Sequence, residues 1–254
     1  MIFKKKIGLV LGGGGARGFF HMGVIKAIQE LNIIIDEIAG TSIGAIIGVI
    51  YASNPKIDFE KMANELDFLE IFKILALVKN KDLNKNIEEF LKKYVGVENF
   101  SDLKIRCRFN ATDINQRKEI VFDSGKIFPA LIGSISIPGV FKPLKYEENY
   151  LIDGGVSNNI PITLIDKAKK ILVSDITGPI KKIDEKTLAT DVLYSSIAVM
   201  QQKISLEKAK DTKKEIIYLN LDDDKTFILD FRKKNYQYLI DMGYESVMKV
   251  KNKL

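Results

Sequence analysis

The sequence predicts an α/β protein, with a central, mainly parallel sheet wrapped by helices. Three observations carry that prediction. Short β-branched runs alternate with longer helical patterns, the order expected when parallel strands are joined by crossover helices. The 254 residues are 46% hydrophobic and 28% charged, with no low-complexity tract, so the chain can bury a full core. No internal repeat and no Pro/Gly/Ser linker interrupts it, and residues 1–254 read as one domain.

The first strand is expected at 7–11, behind the basic start Lys4-Lys5-Lys6. That start imitates a secretory leader, but its apolar run of five residues falls short of the roughly 7–15 a leader needs, so a buried strand is the reading. A helix over 17–31, a strand over 34–39 and a helix over 43–53 follow. Segment 55–98 is expected to hold helices at 58–78 and 85–94 without a strand of its own. Its residues Phe68, Leu69, Ile71, Phe72, Ile74, Leu75, Leu77 and Val78 are too apolar all round for a surface helix, which suits a buried core helix or a flap over an apolar groove. Strands at 105–111, 118–122, 149–152, 170–174 and 215–219 and helices at 126–133, 161–167, 187–212 and 232–250 complete the alternation.

Cys107 is the only cysteine, so no disulfide can form within the chain, and no CxxC or Cys/His cluster offers a zinc site. A reducing compartment, the cytoplasm, is the expectation, with neither metal nor cofactor. No stretch approaches the roughly 18 apolar residues that span a bilayer, which leaves peripheral contact as the membrane mode. The net charge of +6 suits an anionic partner, a phospholipid surface or a nucleic acid, although dispersed lysine is the ordinary composition of a solvated face.

Gly12-Gly13-Gly14-Gly15-Ala16-Arg17-Gly18 lies between the first strand and the first helix. Consecutive glycines let several N–H groups point into one concavity at the positive end of a helix dipole, a place for negative charge. Gly13, Gly15 and Gly18 satisfy GxGxxG, and Asp36 stands where a ribose-binding acid would, so a dinucleotide site is one reading. A P-loop is not, because Phe19 occupies the position that requires Lys. An oxyanion hole is the third reading, and it requires a nucleophile nearby.

Gly40-Thr41-Ser42-Ile43-Gly44 supplies one. It is a GxSxG at a strand-to-helix junction, where small neighbours permit the sharp turn that exposes the serine oxygen; the plain alternative is Ser42 as a helix N-cap. Serine needs an adjacent base. The sole histidine, His21, precedes Ser42, whereas an α/β-hydrolase triad runs Ser, Asp/Glu, His in chain order; it could still be a base by another route, since triads are defined by geometry and not by order, but a place in the first turns of a helix beside the glycine loop favours a structural role. Carboxylates at strand ends remain: Asp113, Asp153 and Asp175, with Asp153-Gly154 readable also as a plain turn. The residues by themselves do not choose among the three.

With these motifs in place, the chain resembles the patatin-like phospholipase family. The resemblance rests on Gly13-Gly14-Gly15-Ala16-Arg17-Gly18, on Gly40-Thr41-Ser42-Ile43-Gly44, and on Asp153-Gly154-Gly155 with Asn159 and Pro161 behind it. Ala111-Thr112-Asp113 leading to Phe122-Asp123-Ser124-Gly125, and Ser134-Ile135-Ser136-Ile137-Pro138 followed by Phe141 and Pro143, also fit, and the blocks cover about residues 7–165 in the family's order. The resemblance implies a three-layer α/β fold and a Ser42–Asp153 dyad, selects Asp153 over Asp113 and Asp175, and explains the glycine loop without a nucleotide. It further implies an oxyanion hole from the N–H groups of Gly13, Gly14 and Gly15. Arg17, the loop's cation, would then orient a substrate phosphate or, the favoured role, stiffen the loop. The expected activity is hydrolysis of acyl esters in phospholipids, lysophospholipids or acylglycerols, with peripheral contact to an anionic membrane surface and no nucleic-acid partner. A soluble short-chain esterase or thioesterase, or a nucleotide- or lipid-binding module without chemistry, are the alternatives.

Overall fold

In the computed structural model, β1 (Ile7–Leu11) is buried along its whole length. Its alternate side chains feed two cores, with Ile7, Leu9 and Leu11 on one face and Val10 on the other. Burial on both faces is the condition of a central parallel strand. The structure describes residues 6–65, 89, 92–179, 184, 185, 187, 189–223, 225, 226, 228, 230 and 232–254.

Around β1 the parallel sheet grows both ways. β2 (Ile35–Thr41) pairs with β1 on one side and β3 (Arg106–Asp113) pairs with β2. β7 (Lys170–Asp175) pairs on the other side and β8 (Glu215–Asn220) closes that edge. Beyond β3 the direction reverses: β4 (Lys118–Phe122) and β6 (Asn149–Asp153) are antiparallel to β3, and β5 (Leu144–Tyr146) is antiparallel to β6.

Helices cover both faces, giving three layers. On one face Phe20, Val24 and Ile28 of α1 (Phe19–Glu30), Ile47 and Ile50 of α2 (Ile43–Ser53), and Met62 of α3 (Phe59–Glu65) join the core under Leu9 and Leu11. Leu131 of α4 (Ile127–Ser134) enters the same core. On the other face Val10, Ala39, Ile171 and Val173 meet Ile160, Ile162, Leu164 and Ile165, beyond the short α5 (Gly155–Asn158). Ala209 of α6 (Ala189–Ala209) packs against that second core. Leu239, Ile240 and Val247 of α7 (Tyr236–Val250) return to the first.

The expected strands all form, with β2, β3, β6, β7 and β8 each running one or two residues past the expected end. Helix 17–31 opens as a 3-10 turn over Gly15–Gly18 before α1. The helix expected at 161–167 is a correction, since only a single 3-10 turn forms there, Ile162–Leu164. The reason is Glu37, whose buried carboxylate accepts the N–H groups of Asp166, Lys167 and Ala168 and so diverts the donors that a continuing helix would need. β5 and α5 were not expected; three- and four-residue elements carry too little periodicity to read. Of segment 55–98, α3 is seen, while most of the helices expected at 58–78 and 85–94, and with them the flap or core question, lie outside the described residues.

Candidate active site

Ser42 sits between β2 and α2 with φ 54° and ψ −121°, a conformation an L-residue adopts only at a cost of order 1–3 kcal/mol. The turn is possible because its flanks are small. A Cβ on Gly44 would lie 2.1 Å from the carbonyl oxygen of Leu11, so α2 could not start this close to β1 with any larger residue. The Ser42 N–H donates to Ser134 Oγ of α4 at 3.1 Å, which fixes the elbow from beneath.

Sheet topology brings the partner. β4 occupies one edge of β3 along Phe109–Asp113, so the strands on the opposite edge must divide its length. β2 takes Arg106–Asn110 and β6 takes Ala111–Asp113. Because β6 runs antiparallel, its last residue, Asp153, arrives where β2 ends. Ser42 Oγ then donates to Asp153 Oδ2 at 2.6 Å. The other carboxylate oxygen, Oδ1, accepts the Gly155 N–H at 2.7 Å. The backbone is pinned as well: the Asp153 N–H donates to the Ser136 carbonyl at 2.9 Å and the Gly154 N–H to the Ser134 carbonyl at 3.2 Å. Burial pushes the Asp153 pKa up from 3.8 to about 6, against the downward pull of the hydrogen bonds from Ser42 and Gly155.

The other two strand-end aspartates make no hydrogen bond to Ser42 among the described residues, although Asp113 Oδ2 is buried without a partner. Asp113 Oδ1 accepts the N–H groups of Asn115 and Gln116 in the β3–β4 turn, and Asp175 Oδ1 accepts the N–H of Thr177. Asp36, the residue in a ribose-binding position, accepts the N–H of Ile7. A cavity of about 430 Å³ nearby is lined by Thr112, Asp113, Arg117, Ser157 and Lys208 among others, and by neither Ser42 nor Asp153.

The glycine loop runs alongside Ser42; a Cβ on Gly13 would stand 3.4 Å from that of Ser42. Its N–H groups are not equivalent. Gly12 donates to the Ser174 carbonyl and Gly13 to the Asn159 carbonyl, both at 3.1 Å, while Ala16 donates to the Ile228 carbonyl at 2.7 Å. Among the described residues, the N–H groups of Gly14 and Gly15 have no acceptor. Of the three donors expected to face an oxyanion, the Gly13 N–H is thus engaged in holding the loop.

His21 is fully buried, and burial lowers its pKa to about 4, so it is neutral. A carbonyl can only accept, so Nε2 donates to the Gly12 oxygen at 2.9 Å and Nδ1 accepts from Ser174 Oγ at 2.7 Å. Both ring nitrogens are used in bracing the loop. Arg17 has the same kind of role: Nε donates to the Thr226 carbonyl at 2.9 Å and Nη1 to the Thr177 carbonyl. Burial lowers its pKa, with Asp223 and Asp175 opposing. Asn159 Nδ2 donates back to the Gly13 carbonyl at 3.2 Å, joining the loop to the Asp153 turn.

Several members of the site were not singled out from sequence. Ser134 and Ser136 belong to a block whose role was unread, and Asn110 and Asn158 are buried polar residues that the strand and turn patterns do not distinguish from core.

A family model described as patatin-like phospholipase matches residues 9–166. Lysophospholipase NTE1 of Mycosarcoma maydis is 32% identical over 63% of this chain and 9% of that protein. Its namesake in Scheffersomyces stipitis is 27% identical over 96% of this chain and 18% of that protein. Neuropathy target esterase sws of Drosophila persimilis is 35% identical over 62% of this chain and 11% of that protein. The chain thus spans less than a fifth of the length of these curated relatives. Among solved structures, VipD from Legionella pneumophila matches with a TM-score of 0.53 at 16% identity, over 98% of this chain and 67% of that one. The type III effector protein ExoU matches with a TM-score of 0.50 at 14% identity, over 98% and 53%. Both are likenesses of fold.

Proposed function

We propose, from the premise that the chain belongs to the patatin-like phospholipase family, that it is a lipid acyl hydrolase working through a Ser42–Asp153 dyad. The observation that carries the reading is the 2.6 Å hydrogen bond from Ser42 Oγ to a buried carboxylate that has no histidine beside it. With its pKa near 6, Asp153 is ionised at neutral pH yet a better proton acceptor than an exposed aspartate.

In the proposed reaction, Ser42 Oγ attacks the carbonyl carbon of an acyl ester as its proton passes to Asp153 Oδ2. The tetrahedral oxyanion is held by the N–H groups of Gly14 and Gly15, with added potential from the N-terminus of α2. Collapse breaks the bond to the alcohol, which leaves with the proton from Asp153. Water then attacks the acyl-enzyme while Asp153 takes its proton, and the return of that proton to Ser42 Oγ releases the fatty acid.

The substrate class is the carboxylic ester of a phospholipid, lysophospholipid or acylglycerol, in keeping with relatives that are named as a lysophospholipase and an esterase. Among the described residues no helix is long and apolar enough to cross a membrane. Contact with an anionic bilayer would be peripheral, through exposed Lys233, Lys234, Lys249, Lys251 and Lys253 near the C-terminal end. Product analysis on a mixed lipid extract tests the function: wild type releases fatty acid from glycerolipids and Ser42→Ala does not. Hydrolysis confined to short soluble esters would instead identify a short-chain esterase. A wild-type Ser42 that a fluorophosphonate cannot label would sink the nucleophile assignment.

A further inference from the structure

We propose that Asn110 is a positioning residue of the dyad, its buried carboxamide clamping the strand end that carries Ser42 to the turn that carries Asp153. This rests on the dyad reading above and goes beyond it by naming what sets the dyad's geometry.

Asn110 has no exposed surface and lies on β3 at the point where β2 gives way to β6 along the shared edge. Its Oδ1 accepts from Thr41 Oγ1 at 2.8 Å, and Thr41 is the residue before Ser42. Its Nδ2 lies 3.2 Å from the carbonyl oxygen of Gly154, the residue after Asp153, and 3.1 Å from that of Asn158 at the end of α5. Thr41 Oγ1 also reaches the Asn158 carbonyl, at 2.9 Å, so the three groups close a ring. The contact is tight enough that a Cβ on Gly154 would sit 2.5 Å from Asn110 Oδ1.

The amide cannot turn over without loss. Nδ2 faces three acceptors, the third being Glu119 Oε1 at 3.0 Å, and a flip would set a carbonyl oxygen against all of them. Glu119 is itself held by Asn158 Nδ2 at 2.8 Å and, through Oε2, by Lys208 of α6. The network is buried, and apart from Asn158 Oδ1, which has no partner among the described residues, its amide and carboxylate atoms are paired in this arrangement and would lose partners in another. In that arrangement the residues adjoining Ser42 and Asp153 are fixed to one side chain. The purpose follows from the sheet: β2 and β6 meet end to end and share no ladder of their own, so their relative position depends on β3 and on what β3 projects between them. A misplacement of about 1 Å at a reacting centre lowers rates by roughly 10²-fold.

The test uses the full chain with a short-chain p-nitrophenyl ester as soluble probe, comparing wild type, Asn110→Ala, Thr41→Val, their double variant and Ser42→Ala. Asn110→Ala is expected to lower kcat by roughly 10²-fold and Thr41→Val by about tenfold, with KM within about twofold of wild type. The acid limb of kcat/KM should move to higher pH in both, because a loosened Ser42 no longer holds the Asp153 pKa down. The double variant should lose little more than Asn110→Ala alone, the mark of two groups acting as one clamp. If Asn110→Ala does not fold, Thr41→Val, which deletes one hydroxyl, decides. A folded Thr41→Val with unchanged kcat and unchanged acid limb overturns the proposal, as does strict additivity. Turnover by Ser42→Ala would instead overturn the dyad itself, whatever the clamp variants do.

Discussion

Replacing Asp153 by Asn should abolish turnover and make the fold more stable at neutral pH. The carboxyl is buried, and its pKa stands at about 6 in place of 3.8. Below pH 3.8 it is protonated in folded and unfolded chains alike and contributes nothing to the difference. Between pH 4 and 6 the unfolded chain releases the proton while the folded chain retains it, so stability falls as pH rises, and above pH 6 the loss is complete. A move from 3.8 to about 6 corresponds to roughly 3 kcal/mol at neutral pH, at about 1.36 kcal/mol per tenfold change in affinity for the proton. Asn carries no such charge, and it can still accept from Gly155 and donate to Ser42. Thermal unfolding of Asp153→Asn and wild type at pH 4 and pH 8 isolates the effect, since any change in packing is common to both pH values. Relative to wild type, the variant's Tm should be roughly 6 °C higher at pH 8 than at pH 4. A difference in Tm that does not change with pH would show that Asp153 is not held at a raised pKa, and the account of how a lone carboxylate acts as base would go with it.

The acid limb of the kcat/KM profile should centre near pH 6, because the base must be ionised, and His21→Asn should leave its position unchanged since the imidazole is neutral and fully engaged. A folded His21→Asn that binds substrate analogue normally yet loses ~10⁴ in rate would make the histidine catalytic. Activity on monomeric ester should be indifferent to EDTA, as the proposed oxyanion donors are backbone N–H groups; inhibition reversed by added calcium would contradict this. Sedimentation with anionic vesicles should exceed that with neutral ones and weaken as salt rises, at roughly 1 kcal/mol per basic residue near the surface, and equal binding at low salt would remove the basis for a basic contact face.

The fold was legible where burial writes a long signal. β1 and the Ile171–Val173 stretch of β7 are apolar runs because both faces of the central sheet are covered, and α1, α2 and α7 are long enough for a helical period to show. The signal failed at 161–167, where Ile160, Ile162, Leu164 and Ile165 are apolar because they seal the second core, not because they form a helix. No local pattern foretells that Glu37, far away in sequence, will take the amides of 166–168.

Within the candidate site, Ser42 was legible since the elbow demands small neighbours in a fixed spacing, and those neighbours are local. The proposed base was not: Asp113, Asp153 and Asp175 are each an aspartate at a strand end, and the resemblance, not the residues, separated them. What distinguishes Asp153 is that β6 runs antiparallel into the edge position that β2 vacates on β3. Strand direction and edge sharing are properties of the assembled sheet, carried by pairings such as Thr41 with Asn110 and Ala111 with Asp153, which together bring Ser42 to a residue 111 positions away. The same holds for the glycine loop. Four glycines in sequence are interchangeable on paper, and only the carbonyls that arrive from Ser174, Asn159 and Ile228 decide that Gly12, Gly13 and Ala16 are anchors, while the N–H groups of Gly14 and Gly15 meet no acceptor among the described residues and so stand as the proposed oxyanion donors.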